Sequence, residues 1–302
     1  MSYLQARCRN QEYLSKVTDF MIACRGEDPL GGMWDVGDLQ WWWREDLYGD
    51  VNNQVFWVDD AGVTVGFALV SQEYRCVDYE ILPSVTHSPV GQEIFGWGLN
   101  LLANMARQDM SGATYTILIR EDHQAFRAMA EEAGFAPNGQ AYVQTVLNSV
   151  ANLSVARLPD GYEVRSIRAR DIVDGRLPCL RIPPGMYRRV TETPLYRGAL
   201  HLVVEAPDSR IAAECIGWID QKNRIGLFEP VRTADEFQRR GVGKAMMATG
   251  LRRMMAAGVT LAKVSHYLSN PAAGHLYRSL GFTAAFQRLV YQYSGTSRAG
   301  RQ

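Results

Sequence analysis

The stretch QRRGVGKAM, Gln238–Met246, decides how this chain is interpreted, because its two glycines lie among basic residues at the start of an apolar helical pattern. The apolar residues that follow recur at helical spacing, and Gly258 is placed to end that helix. The preceding segment IGLFEPV, Ile225–Val231, predicts a strand. Glycine at 241 and 243 lets an anion approach the backbone at a helix N-terminus, where unpaired amides and the helix dipole favour negative charge. The stretch therefore predicts a phosphate-binding turn between a strand and a helix.

Two nucleotide-binding motifs contain similar glycines, and neither fits. A triphosphate-binding loop needs a glycine and a Ser or Thr where this chain has Gln238 and Ala245. A dinucleotide-binding fingerprint needs a third glycine, which is absent at the required spacing. On this stretch alone, a glycine turn that carries basic surface residues and binds nothing remains open as an alternative.

A second motif follows in SNPAAGHLYRSLGF, Ser269–Phe282. Asn270 suits a helix N-cap, Pro271 suits the first helical position, and Gly281 is placed to end the helix. Ala273, Leu276, Tyr277 and Leu280 fall on one face of this predicted helix.

In their order and separation, the two motifs resemble those of the GNAT superfamily of acyl-CoA-dependent N-acetyltransferases. The resemblance extends over about residues 160–295, and the prelude FEPVRTADEFQRRG resembles a tandem-domain branch of that superfamily. It implies an α/β (α+β) chain of two tandem GNAT-like domains, each a mixed β-sheet with flanking helices. It also implies acetyl-CoA as co-substrate and no metal.

The resemblance further assigns roles to individual residues. The amides of residues 239–244 would wrap the coenzyme A diphosphate, and Val231 would pair with the pantetheine arm and polarise the thioester carbonyl. Asn270 would contact the pantetheine or hold the strand gap open. The cofactor-binding residues implied in this way are Val231, Gln238, Arg239, Arg240, Gly241, Val242, Gly243, Lys244, Asn270 and Tyr277.

The implied reaction is direct attack of a neutral amine on the thioester carbon. Tyr277 matches the family's general acid, with a core role as its alternative. Glu229 lies two residues before Val231 and is a candidate base, with orientation of the loop as its alternative. His266 is a second candidate base or substrate contact, and ordered water a third. Cys215 lies in an apolar strand and is expected in the core rather than as a nucleophile.

Each half of the chain repeats one order of elements: a hairpin, a strand, a helix, a strand, a helix and a final strand. The hairpins are predicted at Gln54–Val70 and Leu200–Asp220, and the polar segment Asn148–Val164 is the predicted boundary. The predicted domains are residues 1–150, a degenerate GNAT-like domain without the cofactor motif, and residues 151–302, a catalytic GNAT domain that binds acetyl-CoA.

The first half departs from both motifs. Its corresponding helix start carries no basic residue, and Gly96 and Gly98 come too late, inside the expected helix. Asp122 replaces the asparagine of the second motif, and Phe126 stands at the tyrosine position. An aspartate would repel the phosphates of the cofactor and a phenylalanine cannot donate a proton. The first half is therefore expected to have lost acetyl-CoA binding and to supply a wall of the acceptor site or only stability.

The segment GGMWDVGDLQWWWRED, Gly31–Asp46, allows two interpretations. Its tryptophans could line an acceptor pocket, with Asp35 and Asp38 attracting a protonated amine. Alternatively, a helix packs its aromatic residues onto the sheet and leaves the aspartates solvated. The second interpretation is favoured because three adjacent tryptophans cannot share one helix face.

The amino-acid composition limits the classes of ligand and partner that the protein is expected to bind. The 302 residues suit about two domains, and the zero formal net charge conceals a division between the halves. From residue 151 onward there are 23 Lys+Arg and 12 Asp+Glu, which leaves 32 − 23 = 9 and 32 − 12 = 20 for residues 1–150. The basic half favours an anionic ligand, whereas the acidic half argues against a nucleic acid partner.

The remaining sequence signals concern the compartment and the acceptor. The first twenty residues do not resemble a secretory signal and no apolar run would span a membrane, while the five scattered cysteines suggest reduced thiols in the cytoplasm. The expected acceptor is a primary amine of a small molecule. A protein or peptide amine, or a non-catalytic acyl-CoA-binding sensor, is the alternative. The oligomeric state is open, and a monomer is compatible with two fused units.

Overall fold

The computed structural model describes residues 3–7, 12–38, 51–148, 157–173, 187 and 190–294. Trp41, Trp42 and Trp43 lie outside the described residues, as does residue range 149–156 of the predicted boundary. Of the tryptophan segment, the structure therefore describes only residues 31–38.

Within the described part, the first half of the chain forms a series of strands and helices that ends in a long strand. They are β1 Leu4–Ala6, α1 Glu12–Glu27, β2 Gln54–Val58, β3 Thr64–Ser71, β4 Cys76–Ile81, α2 Pro89–Gln108, β5 Thr116–Arg120, α3 Gln124–Glu132 and β6 Phe135–Leu147.

The second half repeats the order of the first from its hairpin onward. Its elements are β7 Glu163–Ser166, α4 Ala169–Val173, β8 His201–Glu205, β9 Ile211–Asp220, β10 Ile225–Thr233, α5 Val242–Ala256, β11 Leu261–Tyr267, α6 Pro271–Ser279 and β12 Thr283–Tyr293. The repeated order confirms the predicted mixed α/β fold of two similar units, and both predicted hairpins form.

The chain divides into two compact units that are not two uninterrupted segments. The first unit contains residues 1–143, 267–269 and 286–302, and the second contains residues 144–266 and 270–285. Most of β12 thus belongs to the first unit, where Arg288–Gln292 pairs antiparallel with Thr116–Arg120 of β5. The sequence pattern located β12 correctly and did not indicate its partner.

Each unit is built on a mixed sheet with its own core. In the first unit the strand order is β1-β2-β3-β4-β5-β12-β6, and β4 pairs parallel with β5. In the second it runs from the end of β6 through β11-β10-β9-β8-β7, and β10 pairs parallel with β11. The side chains of α2 fill the core of the first unit, and those of α5 fill the core of the second.

Candidate active site

Strands β10 and β11 separate as they run toward their carboxyl ends. Their parallel pairing joins Ile225–Leu227 to Leu261–Lys263, and both strands continue beyond it. Beyond Leu227, no pairing of β10 with β11 is found among the described residues, whereas Phe228 and Val231–Thr233 still pair with β9. The edge of β10 toward β11 therefore has no strand pairing there, and this stretch is called the strand opening. Openings at the carboxyl ends of parallel strands are common ligand sites in α/β sheets.

A bulge in β10 lies at this opening. Phe228 pairs with Gly217 and Val231 pairs with Cys215, so two residues of β10, Glu229 and Pro230, stand opposite a single residue of β9. The Glu229 carbonyl accepts a hydrogen bond of 2.6 Å from the indole Nε1–H of Trp218. Because of this bulge, the main-chain groups of Val231 and of the residues after it point in a different direction from those before it.

The turn between β10 and α5 exposes a row of main-chain amides. Arg239 and Gly241 adopt left-handed backbone conformations with φ of 60° and 80°, and Gly241 is the N-cap of α5 without a side-chain cap. Among the residues that the structure describes, none of the six N–H groups from 239 to 244 donates a hydrogen bond. Six neighbouring donors at a helix N-terminus form a site that suits a diphosphate.

Gly243 is needed for the close packing of this turn against β10. A β-carbon at position 243 would lie 2.8 Å from the Thr233 Oγ1. Gln238 stabilises the same turn, because its side-chain amide donates to the Thr233 carbonyl at 3.4 Å and to the Asp235 carboxylate at 3.0 Å. The Gln238 side chain therefore stabilises the loop through these two hydrogen bonds.

Three cations surround the amide row. Arg239 and Arg240 are exposed and Lys244 is half-buried. The Arg240 guanidinium donates to the Tyr162 hydroxyl at 3.2 Å and stacks over the Phe237 ring, with 5.6 Å to its centroid. Arg240 is therefore held beside the turn, where its charge would oppose that of a bound diphosphate.

Helix α6 begins as predicted, since the Asn270 side chain accepts a hydrogen bond of 3.1 Å from the Ala273 amide. One helical face carries Tyr277 into the core of the second unit, where its side chain is 4% exposed. No hydrogen bond of the Tyr277 hydroxyl exists among the described residues. Burial raises the pKa of this phenol, and the Glu229 carboxylate raises it further, so that Tyr277 keeps its proton at neutral pH.

Both candidate bases lie near Tyr277. Glu229 is half-buried and lies near enough for its charge to act on the phenol. His266, near the end of β11, is also half-buried and has its ring centroid 5.7 Å from that of Tyr277. The structure thus gathers Tyr277, Glu229 and His266 around one end of the strand opening.

The first unit contains a comparable opening without the amide row. Strands β4 and β5 pair only at Cys76–Val77 with Thr116–Ile117 among the described residues, and beyond that pairing lies a pocket of about 140 Å³. Glu80 lines this pocket, but its carboxylate is bound to the Arg25 guanidinium at 2.6 Å and to the Met33 amide at 2.8 Å. The Glu80 carboxylate is thus occupied by partners within its own unit.

The start of α2 in the first unit is closed. Pro89 has no N–H, and the Ser88 side chain accepts the hydrogen bond of the Gly91 amide. A β-carbon at Gly91 would lie 2.3 Å from the Thr86 carbonyl, so the preceding loop covers the helix start. Gly96 and Gly98 lie inside α2, as predicted.

Two equivalences drawn from the sequence are wrong, Asp122 for Asn270 and Phe126 for Tyr277, because the residue at the asparagine position is His123. Helix α3 has His123 as its N-cap, whereas α6 has Asn270, and Tyr277 comes seven residues after its cap. Counted from His123, the tyrosine position of the first unit is Ala130, not Phe126. Ala130 is fully buried and, like phenylalanine, has no proton to donate. Phe126 instead packs against Phe95, with ring centroids 4.4 Å apart.

The expectation of solvated aspartates in the tryptophan segment is also wrong for Asp35. Asp35 is 6% exposed, and its amide donates to the Asp38 carboxylate at 2.9 Å. Trp34 is half-buried against the core of the first unit, in agreement with a packing role.

Sequence reasoning missed several residues that shape the second unit's site. Thr233 contacts the turn, Trp218 holds the bulge, and a buried cluster of four polar side chains lies on β8, β9 and the segment before β8. Pro230 within an apolar strand is a signal for the bulge, because proline cannot donate to a sheet ladder. The buried cluster leaves no such local signal.

Within the described residues, no cluster of three His, Cys, Asp or Glu side chains has a geometry suited to a metal ion. Nor does any described helix combine the length and the apolar character that a membrane crossing requires. Cys215 is fully buried, and burial raises the pKa of its thiol, as expected of a core residue.

Comparison with known proteins identifies the second unit. The sequence model of the acetyltransferase (GNAT) domain matches residues 197–284. Residues 197–284 are therefore similar to a GNAT acetyltransferase domain. These residues contain the strand opening, the amide row and Tyr277, and GNAT domains in general bind acetyl-CoA and transfer its acetyl group.

Solved GNAT structures are similar to nearly the whole chain. A tandem GNAT protein from the clavulanic acid biosynthesis pathway aligns with a TM-score of 0.65 at 15% identity, over 96% of this chain and 98% of that one. A GCN5-related N-acetyltransferase from Sphaerobacter thermophilus aligns with a TM-score of 0.63 at 16% identity, over 96% and 95%. A GNAT-family acetyltransferase from Colwellia psychrerythraea gives 0.55 at 13% identity, over 97% and 100%.

These alignments establish the fold of the whole chain as a tandem GNAT fold. No curated protein matches the chain in sequence.

Proposed function

We propose that the protein transfers an acetyl group from acetyl-CoA to a primary amine of a small molecule, by direct attack, at one active site in the second unit. The observation that carries this proposal is the row of unpaired amides from 239 to 244, which begins α5 beside the opening that contains the Tyr277 phenol. A diphosphate bound there would leave the pantetheine arm able to follow β10 toward that phenol.

The cofactor-binding roles divide between main chain and side chains. The amides of 239–244 would hold the diphosphate, and Arg239, Arg240 and Lys244 would supply countercharge. Val231, directly after the bulge, would pair with the pantetheine arm and polarise the thioester carbonyl. Asn270 fixes the start of α6 and with it the position of Tyr277.

Proton transfer is assigned to the groups around the opening. The buried Tyr277 phenol would protonate the departing thiolate of coenzyme A, because burial keeps its proton in place until a stronger base appears beside it. Glu229, whose carboxylate lies near Tyr277, is proposed to attract and hold the ammonium form of the acceptor. The pairing of β10 with β9 and the Trp218 hydrogen bond fix the backbone of Glu229 at the bulge.

Thiol release tests the proposal. The protein and acetyl-CoA are incubated with one amine at a time, and the free coenzyme A that is released is measured. The amines are spermidine, D-glucosamine, L-lysine and a peptide with a free N-terminus. The proposal expects release with at least one small amine and expects the double variant Arg239→Ala/Arg240→Ala to lose most of it through a raised KM for acetyl-CoA. Release with the peptide alone would indicate a protein acetyltransferase. Tight acetyl-CoA binding without release for any amine would favour a sensor.

A further inference from the structure

A chain of buried hydrogen bonds runs through the second unit on strands β8 and β9. The Tyr196 hydroxyl lies 3.0 Å from His201 Nδ1, and His201 Nε2 lies 2.9 Å from the Glu214 carboxylate. The Tyr187 hydroxyl donates to the same carboxylate at 3.1 Å and 3.2 Å to its two oxygens. His201 and Glu214 are fully buried, Tyr187 is 4% exposed, and Tyr196 at the outer end is half-buried.

The hydrogen-bond pattern determines which way the chain is directed. A carboxylate only accepts, so Tyr187 donates its hydroxyl proton and a neutral His201 places its N–H at Nε2, toward Glu214. Nδ1 of that tautomer is an acceptor, which directs the Tyr196 O–H toward the ring. The order is therefore Tyr196 O–H to His201, and His201 N–H to Glu214. A carboxylate that orients an imidazole in this way also stabilises the imidazolium when the ring takes up a proton.

The hydrogen-bonded side chains of Tyr196, His201 and Glu214 lie on the face of the sheet opposite α5. Helix α5 packs on the face that carries Cys215 and Gly217, since a β-carbon at Gly217 would lie 2.6 Å from the Met254 side chain. Side chains alternate along a strand, so Glu214 and Trp218 lie on the other face of β9. His201 is in register with Ile216 and shares that face. On the proposed function, we place the amine on this other face, across the sheet from α5.

The outer end of the chain lies next to the bulge. The Tyr196 ring packs edge-on against the Trp218 ring at 6.5 Å between centroids, and Trp218 donates its indole N–H to the Glu229 carbonyl. One aromatic side chain thus stands between the Tyr196 ring and the backbone that precedes Val231.

On this arrangement we infer that Tyr196, His201 and Glu214 form a proton relay that deprotonates the attacking amine; the inference rests on the proposed function. A bound ammonium group passes one N–H proton to the Tyr196 oxygen. The phenolic proton of Tyr196 passes in turn to His201 Nδ1, and the neutral amine that remains attacks the thioester carbon. As the carbon–sulfur bond breaks, the departing thiolate takes its proton from Tyr277, and the second N–H proton that the nitrogen loses on becoming an amide returns to the Tyr277 oxygen. The relay holds an imidazolium beside the Glu214 carboxylate until that proton passes to solvent.

The surroundings of the relay fit this use. Burial and the Glu214 carboxylate raise the pKa of Tyr196 to about 12, so the phenol stays protonated until its own proton can leave toward His201. The other titratable or charged groups that face the relay among the described residues are Tyr187, which donates to Glu214, and Arg232, opposite Glu214 in the β9–β10 pairing.

Kinetics with a matched pair of variants test the relay. Tyr196→Phe keeps the ring and removes the hydroxyl at the outer end, whereas Tyr187→Phe removes a hydroxyl that donates to Glu214. With whichever of spermidine, D-glucosamine, L-lysine and the peptide is acetylated fastest, Tyr196→Phe is expected to lower kcat/KM about 100-fold at pH 7. The loss of kcat/KM in Tyr196→Phe should become smaller as the pH approaches the pKa of the amine, because more of the amine is then neutral when it binds. Tyr187→Phe should give a smaller loss that does not change with pH. An unaltered pH profile in Tyr196→Phe would overturn the relay.

Ring nitrogen NMR tests the same inference without an acceptor. The relay requires the resting His201 to carry one proton, at Nε2, with Nδ1 unprotonated, and its signals are assigned by their change in Tyr196→Phe. A doubly protonated His201 at pH 8 would overturn the relay, since no acceptor would remain for the tyrosine proton. Absence of acetyl transfer in the wild-type protein, with the expected tautomer present, would contradict the proposed function and leave the hydrogen-bond order standing.

Discussion

Gly243 lies so close to Thr233 that a β-carbon at position 243 would come within 2.8 Å of the threonine Oγ1. Such a distance is shorter than side-chain atoms normally allow, so a larger residue would push the start of α5 away from β10. The amides proposed to hold the diphosphate are fixed by this packing.

The first prediction follows from that contact. Gly243→Ala should weaken coenzyme A binding, measured by titration calorimetry, by about 10-fold or more because the amide row is displaced. Thr233→Ala removes Oγ1, and the double variant Gly243→Ala/Thr233→Ala should regain most of the lost affinity. Equal losses in the single and double variants would show that the contact does not set the geometry of the turn.

The second prediction concerns Tyr277. Tyr277→Phe keeps the buried ring and removes the only proton that the side chain can donate, so kcat should fall about 100-fold or more while the affinity for coenzyme A changes little. Tyr74→Phe, at an exposed tyrosine in the first unit, is the matched control and should leave both quantities unchanged. An equal fall in affinity and turnover would instead assign Tyr277 to binding.

The third prediction is a stoichiometry of one coenzyme A per chain. In the first unit Pro89 and the Ser88 cap leave no comparable row of amides at the start of α2. Calorimetric titration should therefore show a single site, and Arg239→Ala/Arg240→Ala should weaken that site without uncovering another. A second site that persists in the double variant would contradict the closed helix start.

The fourth prediction uses the pH dependence of folding in the first unit. Burial, followed by the charge of Arg120, lowers the pKa of His123 from 6.5 to about 4, while Asp122 opposes the shift and His87 adds to it. Between those pH values the unfolded chain binds the proton and the folded chain does not. The stability that neutral His123 supports is thus complete above about pH 6.5 and declines as the pH falls toward 4.

His123→Gln serves as the comparison for that decline, because glutamine does not titrate. Urea unfolding at pH 7, 6 and 5 should show the free energy of unfolding falling more steeply in the wild-type protein than in the variant, at up to about 1.4 kcal/mol per pH unit. Parallel profiles would show that His123 titrates normally in the folded state.

Local sequence signals predicted several features of the second unit. Asn270 capped α6, Gly281 followed the end of that helix in a left-handed conformation, and the hairpin of β8 and β9 formed. Each of these features depends on the conformational preference of one or two residues, which a single sequence reveals.

Features that depend on residues far apart in the chain could not be predicted from the sequence. The pairing of β12 with β5 joins residues more than a hundred positions apart, and the apolar alternation of β12 suits more than one neighbouring strand. The Tyr196–His201–Glu214 chain forms only when β8 and β9 pair in one register. The equivalence of Phe126 with Tyr277 was a misalignment, because the residue seven positions after Asp122 is Met129 and the residue seven positions after the observed cap His123 is Ala130.

The most direct test of the account is a crystal structure of the protein with bound acetyl-CoA. The account predicts the diphosphate on the amides of residues 239–244 and the thioester within the β10–β11 opening, near Val231 and Tyr277. A diphosphate bound at the start of α2, or an opening blocked by side chains so that the thioester lies elsewhere, would contradict it.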